Sequence, residues 1–158
     1  KYALYDGVGD GAGGVKENRR SGMTAKEYLR RIRDTESDLR SAEQDYQRAR
    51  DDVMNLKAIQ YDKDKVSNSH IGDLSDAIAA LEKYAERVNA KWDELTALRT
   101  EAEKQIEQIA DGRYRDVLHR RYLQGESWEY IAIGLVYSFR QVLRIHGAAL
   151  VEFTKKMA

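Results

Sequence analysis

The sequence predicts an all-α chain, a long antiparallel, coiled-coil-like helical hairpin followed by a three-helix helix-turn-helix module. Three observations carry that expectation. None of the 158 residues is proline, while 34% are charged and 42% apolar, a composition that sustains long unbroken helices. Apolar residues alternate at spacings of four and three through two extended stretches, the period of a helix that packs on one narrow seam. Helix-start chemistry, a Ser or Thr followed three residues later by Glu or Gln, stands at Thr24–Glu27 and again at Ser138–Gln141, where helices should begin.

Residues 1–22, "KYALYDGVGDGAGGVKENRRSG", form a zone of their own. They hold six of the eleven glycines and show no helical period. We read them as a Gly-rich leader, a tag or mobile arm ahead of a natural start at Met23; a native arm that orders on a partner is the competing reading. Within this zone "GDGAGG" fits G-x-G-x-x-G, but no strand precedes it and no βαβ unit surrounds it, so dinucleotide binding is not expected.

Residues 23–110 are expected to form the hairpin. From Tyr28 the seam runs through Ile32, Thr35, Leu39, Ala42, Tyr46, Ala49, Val53 and Leu56, along a helix of roughly 37 residues, or ~55 Å at 1.5 Å per residue. Positions off the seam are nearly all polar, so the helix buries little alone and needs a partner. Asp34 and Asp38 lie beside Arg30 and Arg31, suited to intrahelical pairing. "DKDKVSNSH", Asp62 to His70, breaks the period with turn-forming residues. A second seam follows through Ile71, Leu74, Ile78, Leu81, Ala85, Val88, Trp92 and Leu95, is interrupted at Arg99, and resumes at Ala102, Ile106 and Ile109. A short link between two long seams favours an antiparallel hairpin. Tyr28, Tyr46 and Trp92 are expected in its core. Asp111-Gly112 is expected to end the second helix, with Gly112 left-handed beyond it.

Residues 111–158 accommodate three shorter helices. The first spans about Arg113–Leu123 and closes at Gly125. The second is N-capped by Ser127 and ends near Gly134. The third is N-capped by Ser138 and runs towards Lys156. Val117, Leu118, Tyr122, Trp128, Ile131, Leu135, Val142, Ile145, Leu150 and Phe153 are expected to make one small core, buttressed by the hairpin because a unit of ~45 residues is marginal alone.

Charge is uneven. Lys+Arg and Asp+Glu both number 27. From Asp111 to Ala158, 8 basic residues outweigh 5 acidic ones (net +3), and from Lys63 to Ala110, 10 acidic outweigh 7 basic (net −3). The basic third is the one with helix-turn-helix spacing. Such a motif lays the start of its second helix in the major groove. Here that start presents Phe139, Arg140 and Gln141, then Arg144 one turn on. Arginine can grip guanine with two hydrogen bonds, glutamine can pair with adenine, and Phe139 can touch a thymine methyl. Arg120, Arg121, Lys155 and Lys156, with the helix starts at Ser127 and Ser138, are the candidate phosphate contacts. Arg140 and Arg144 equally fit the solvated face of an amphipathic helix.

"YRDVLHRRYLQGESWEYIA" resembles the DNA-binding region 4 of bacterial σ factors, through Leu118, Arg121, Tyr122, Gly125, Ser127, Ile131 and Ala132, continued by Tyr137-Ser138 and "RQVLRIHGAAL". With "MTAKEYLRRI", the two long helices and "RIHGAALVEF", the stretch from Met23 to Phe153 is similar to phage and prophage late-gene transcription activators of the ArpU/RinA type. The resemblance implies binding of double-stranded promoter DNA, contact with host RNA polymerase, no catalysis and no cofactor, in the cytoplasm of a bacterial host. It departs at two places. Val136 stands where region-4-like turns carry glycine, so that either the turn uses another geometry, with Gly134 taking the special backbone angles, or recognition is impaired; Ile133 stands where a polar residue is usual, as a partner contact or, the reading we favour, packed on the hairpin.

Two other functions fit parts of the same pattern. A small terminase-like phage packaging subunit also joins a helix-turn-helix to a hairpin, in the reverse order. A protein that binds RNA polymerase or a σ factor without touching DNA would explain Val136. The seams can close within one chain or across a homodimer. There is no cysteine, which excludes disulfides and thiolate metal sites. His70, His119 and His146 lack metal-ligand spacing. No apolar run nears the ~20 residues of a membrane span, and no nucleophile–base set is apparent.

Overall fold

Two long helices lie antiparallel and three short elements pack across one end of them. The computed structural model describes residues 22–61 and 68–157, and the leader and the centre of the expected link lie outside those residues. Helix α1 spans Ala25–Tyr61 and α2 Asn68–Glu107. Helix α3, Gly112–Leu118, continues as a π-helical turn through His119–Leu123, followed by α4, Trp128–Leu135, and α5, Phe139–Lys156.

The capping box that starts α1 is formed as expected. The Glu27 amide donates to Thr24 Oγ1 at 3.2 Å and the Thr24 amide to Glu27 Oε2 at 2.7 Å. These bonds to Thr24 hold the Glu27 carboxyl below its usual range. The α1 seam is buried at Ile32, Thr35, Leu39, Ala42, Ala49 and Val53, joined by Leu29. The hairpin is laced along one flank by Lys91–Asp38 (3.3 Å) and Arg87–Asp45 (3.6 Å). Asp38 therefore reaches across the hairpin to Lys91.

Several expectations are corrected. The α2 helix stops at Glu107, four residues before Asp111. Asp111 does not end it but begins the next helix. Its carboxylate accepts from the Arg113 amide, and Gly112, whose φ is not positive, is the first residue of α3. Apolar Ile109, 2% exposed, has pulled the connection inward, and an aspartate suits an N-cap better than a C-terminus.

The second correction concerns α2. Trp92 is 49% exposed and Ile78 36%, although both sit on the apolar seam. The α2 seam is wider than one helix can cover. Helix α1 packs on its flank, where Tyr84 and Lys91 are partly covered and Leu95 and Ala102 buried, and the remainder is left open.

The third concerns the core of the last three helices, which is two cores. Val117, Ile131, Ala132 and Val142 form a small one, with Trp128, Leu135, Tyr137 and Ile145 against it. Leu118, Tyr122, Leu123, Ala149 and Phe153 instead join Leu29, Ile32, Leu95 and Ile106 of the hairpin. The helical period gives each helix an apolar stripe but does not say which neighbour takes it.

Candidate nucleic-acid interface

The module is fixed to the hairpin first. In the π-helical turn the Gln124 amide bonds to the His119 carbonyl, 3.0 Å away, and the widened backbone sends successive side chains to different neighbours. Tyr122 turns inward, where its hydroxyl shares a 2.9 Å hydrogen bond with His146 Nε2. The Leu123 carbonyl accepts from Arg99 Nη2 at 2.6 Å, so the residue that interrupts the α2 seam ties the module down. His146 also meets Trp128 edge to face, with 4.7 Å between ring centroids. Burial, then the nearby positive charges of Lys26 and Arg121, push the His146 pKa down to about 4. The imidazole is therefore neutral at ordinary pH, a packing group and not a ligand.

Ser127 starts α4, its hydroxyl accepting from the Tyr130 amide at 3.2 Å. The turn after α4 is where sequence reasoning fails. Gly134 does not take the special angles. Val136 does, with φ 57° and ψ 43°. The Tyr137 amide reaches back to the Ala132 carbonyl (2.9 Å) and the Val136 amide to that of Ile133 (3.2 Å). This is a Schellman closure with Val136 at the left-handed position. Tyr137 packs with Ala132 in the small core, the apolar contact that accompanies such closures. The Val136 side chain meets almost nothing, being 89% exposed. The Arg120 guanidinium lies over Gly134, where a Cβ would have to push it aside.

Ser138 and Gln141 then form the expected reciprocal capping box. The Gln141 amide donates to Ser138 Oγ at 3.2 Å and the Ser138 amide to Gln141 Oε1 at 2.9 Å. Phe139, Arg140, Gln141 and Arg144 are all exposed on the first two turns of α5, while Val142 is fully buried and Ile145 packs beside it. One residue of the four carries a prior commitment: Gln141 Oε1 is already spent on the cap, leaving its NH2 as the outward group.

The candidate phosphate contacts are dispersed. Arg120 pairs with Glu126 (3.3 Å) beneath α4. Arg121 lies 4.4 Å above the Trp128 ring and donates to the Glu126 carbonyl at 3.0 Å. Both shape the 124–127 turn. Lys155 pairs with Glu152 at 2.6 Å. With half-buried Lys156 it stands at the far end of α5, about 22 Å from Arg140 at 1.5 Å per residue. Ser127 and Ser138 are exposed at their helix starts with hydroxyls engaged in capping.

Sequence reasoning missed an apolar neighbour of this face. Ile133, expected to pack on the hairpin, is 76% exposed, and Tyr130 and Val136 are exposed with it. The module meets the hairpin through Leu118, Tyr122 and Leu123, and α4 turns Ile131 and Ala132 to the smaller core instead, which leaves Ile133 outside. Tyr130, Ile133 and Val136 recur every three residues, a helical surface ridge readable in advance had α4's inward face been known.

Among the described residues no group of His, Asp or Glu is arranged to hold a metal ion, and no helix is long and apolar enough to cross a membrane. Comparison of the chain with protein-family models, curated proteins and solved structures finds no match to any of them.

Proposed function

We propose that the chain is a sequence-specific DNA-binding transcription regulator of phage type, acting in a bacterial cytoplasm, which reads double-stranded promoter DNA with the start of α5. One observation carries this reading. Arg140, Gln141 and Arg144 share the exposed side of a helix start whose opposite side, at Val142, is locked into a core. Recognition helices need that combination, donors outward and a rigid back. Phe139 stands beside them at 44% exposure, suited to a thymine methyl. Backbone phosphates are left to Arg120, Arg121, Lys155 and Lys156 and to the helix starts at Ser127 and Ser138.

The test is selection of bound sites from random DNA, followed by gel shift with Arg140→Ala/Arg144→Ala. Each lost base contact should weaken specific binding by ~1–3 kcal/mol, with helicity by circular dichroism unchanged. A double variant that still selects the same site with the same affinity would end the proposal.

A second reading has its own observation. The exposed ridge Tyr130, Ile133 and Val136 is apolar where a phosphate-facing surface would be polar, and suits contact with a protein such as the host RNA polymerase. Capture of polymerase that is lost in Ile133→Glu, with no affinity for any DNA, would favour this reading. A packaging-subunit role has no comparable support.

A further inference from the structure

The open side of the hairpin has a charge and shape pattern that repeats about its own centre. On α2, Ile78, Ala85 and Trp92 are seven residues apart. A small residue thus lies between two large exposed ones. Glu82, Asn89 and Thr96 flank them, seven residues apart, so this flank of α2 carries a single charge between Ile78 and Thr96. The groove between Trp92 and α1 has a volume of about 480 Å³ and is edged by Glu36, Arg40 and Glu43. Glu36 and Glu43 begin a second seven-residue series, continued by Arg50 and Lys57. Two acids are followed by two bases at one heptad position. The cross-helix ion pairs named above, Lys91–Asp38 and Arg87–Asp45, lace the other flank.

The two series share a midpoint. Asp45 faces Arg87, so in an antiparallel pair the gap between Glu43 and Arg50 lies level with Ala85. A two-fold axis lying in this face, across the helices at that level, sets Ile78 against Trp92 of a second copy and Ala85 against its own equivalent. It sets Glu36 and Glu43 against Lys57 and Arg50. Opposite charges meet at every one of these positions, as an isologous contact requires, and the small central residue lets the backbones approach. A single-sign surface would have suited nucleic acid, but this one is balanced. We infer that the open face of the hairpin, centred on Ala85, is the interface of an antiparallel homodimer, α1 against α1 and α2 against α2, closing a four-helix bundle. The terminal modules are carried to opposite ends, about 60 Å apart at 1.5 Å per residue. This pairing is independent of what α5 reads.

The test is the mass of the full chain in solution by size exclusion with light scattering, across a concentration series. The wild type should show twice the 18.2 kDa chain mass. Trp92→Glu should return it to a single chain with unchanged helicity. Glu36→Lys/Glu43→Lys should weaken the dimer at least tenfold. Adding Arg50→Glu/Lys57→Glu to that variant should restore it, because the series is then reversed as a whole. These changes lie outside the terminal module, so α5 variants and dimer variants fail separately. A wild type that stays monomeric at every concentration overturns the inference. So does a dimer indifferent to Trp92→Glu, or a charge-reversed chain in which the second pair of changes restores nothing.

Discussion

Replacing Val136 by glycine should make this protein more stable, although it removes an apolar side chain. A β-branched residue in the left-handed region costs about 1–3 kcal/mol in steric strain, and Val136 sits there at φ 57°. Two terms oppose the gain. Glycine adds about 0.4–1 kcal/mol of backbone freedom to the unfolded chain. Lost burial is minor: fully burying a valine yields roughly 1.5–3 kcal/mol, and this one is 89% exposed, so a tenth of that, ~0.2 kcal/mol, is forfeited. The net expectation is stabilisation of about 1 kcal/mol, or roughly 2–4 °C in Tm for a chain of this size. Urea and thermal denaturation followed by circular dichroism measure it, with the urea slope unchanged between variants. Val136→Asn should fall between the two, since asparagine tolerates this region better than valine. If Val136→Gly loses a kilocalorie instead, the valine is held by a contact or the turn is not left-handed, and the Schellman account of the helix junction fails.

The other expectations concern neighbouring positions. Gly147 lies in α5 with open space where a Cβ would stand, so Gly147→Ala should stabilise by about 1 kcal/mol from helix propensity, read in the same denaturation assay. Gly134→Ala should change stability little, because the new Cβ meets only the tip of the flexible Arg120 side chain and the disturbed pair with Glu126 is worth at most ~1 kcal/mol against a propensity gain of about the same size; a loss well beyond that would show that Arg120 cannot swing aside. His146 should make the fold acid-sensitive. The unfolded imidazole takes a proton near 6.5, whereas the folded one resists until about 4. The stability it confers is therefore complete above pH 6.5 and lost as pH falls from there through 4. By pH 5 the loss is about 2 kcal/mol, and His146→Gln should lack that component in a pH series of denaturation curves.

How much of this was legible depends on how local the cause is. Thr24 with Glu27 and Ser138 with Gln141 announce helix starts because the bonds that make them span three residues. The seams announce long helices because burial repeats with the backbone. Val136 was illegible for the converse reason. Local sterics argue against a left-handed valine, and its place is fixed by the tertiary packing of Ala132 and Tyr137 on either side. Gly134 looked like the relief for that turn, but its backbone is ordinary helix, and what lies over it is the tip of a long arginine from the π-helical turn fourteen positions earlier. Arg120 and Arg121 stand out by residue type alone, and only three-dimensional placement shows that they also meet Glu126 and Trp128. Trp92 was read as core because it lies on an apolar seam, and period alone cannot say how many partners a seam has.

Helix α5 joins the two ends of the molecule's logic. Its last turns are its anchor, with Phe153 and Ala149 fully buried in the hairpin core and the Phe153 ring 6.0 Å from that of Tyr28. Its first turns rest on the smaller core through Val142. His146 sits between, tied to Tyr122 and Trp128, so one straight helix spans both cores. The hairpin thereby sets the direction in which Arg140 and Arg144 point, although it lies far from them. Without that anchor a three-helix unit of this size would be marginal and its arginines loosely held. With it, the outward face is held rigid, as the proposed base readout would require, because ordering entropy is spent on folding and not again on binding. The long hairpin is then more than a spacer. It is the part of the chain that holds a helix with two exposed arginines in one fixed orientation.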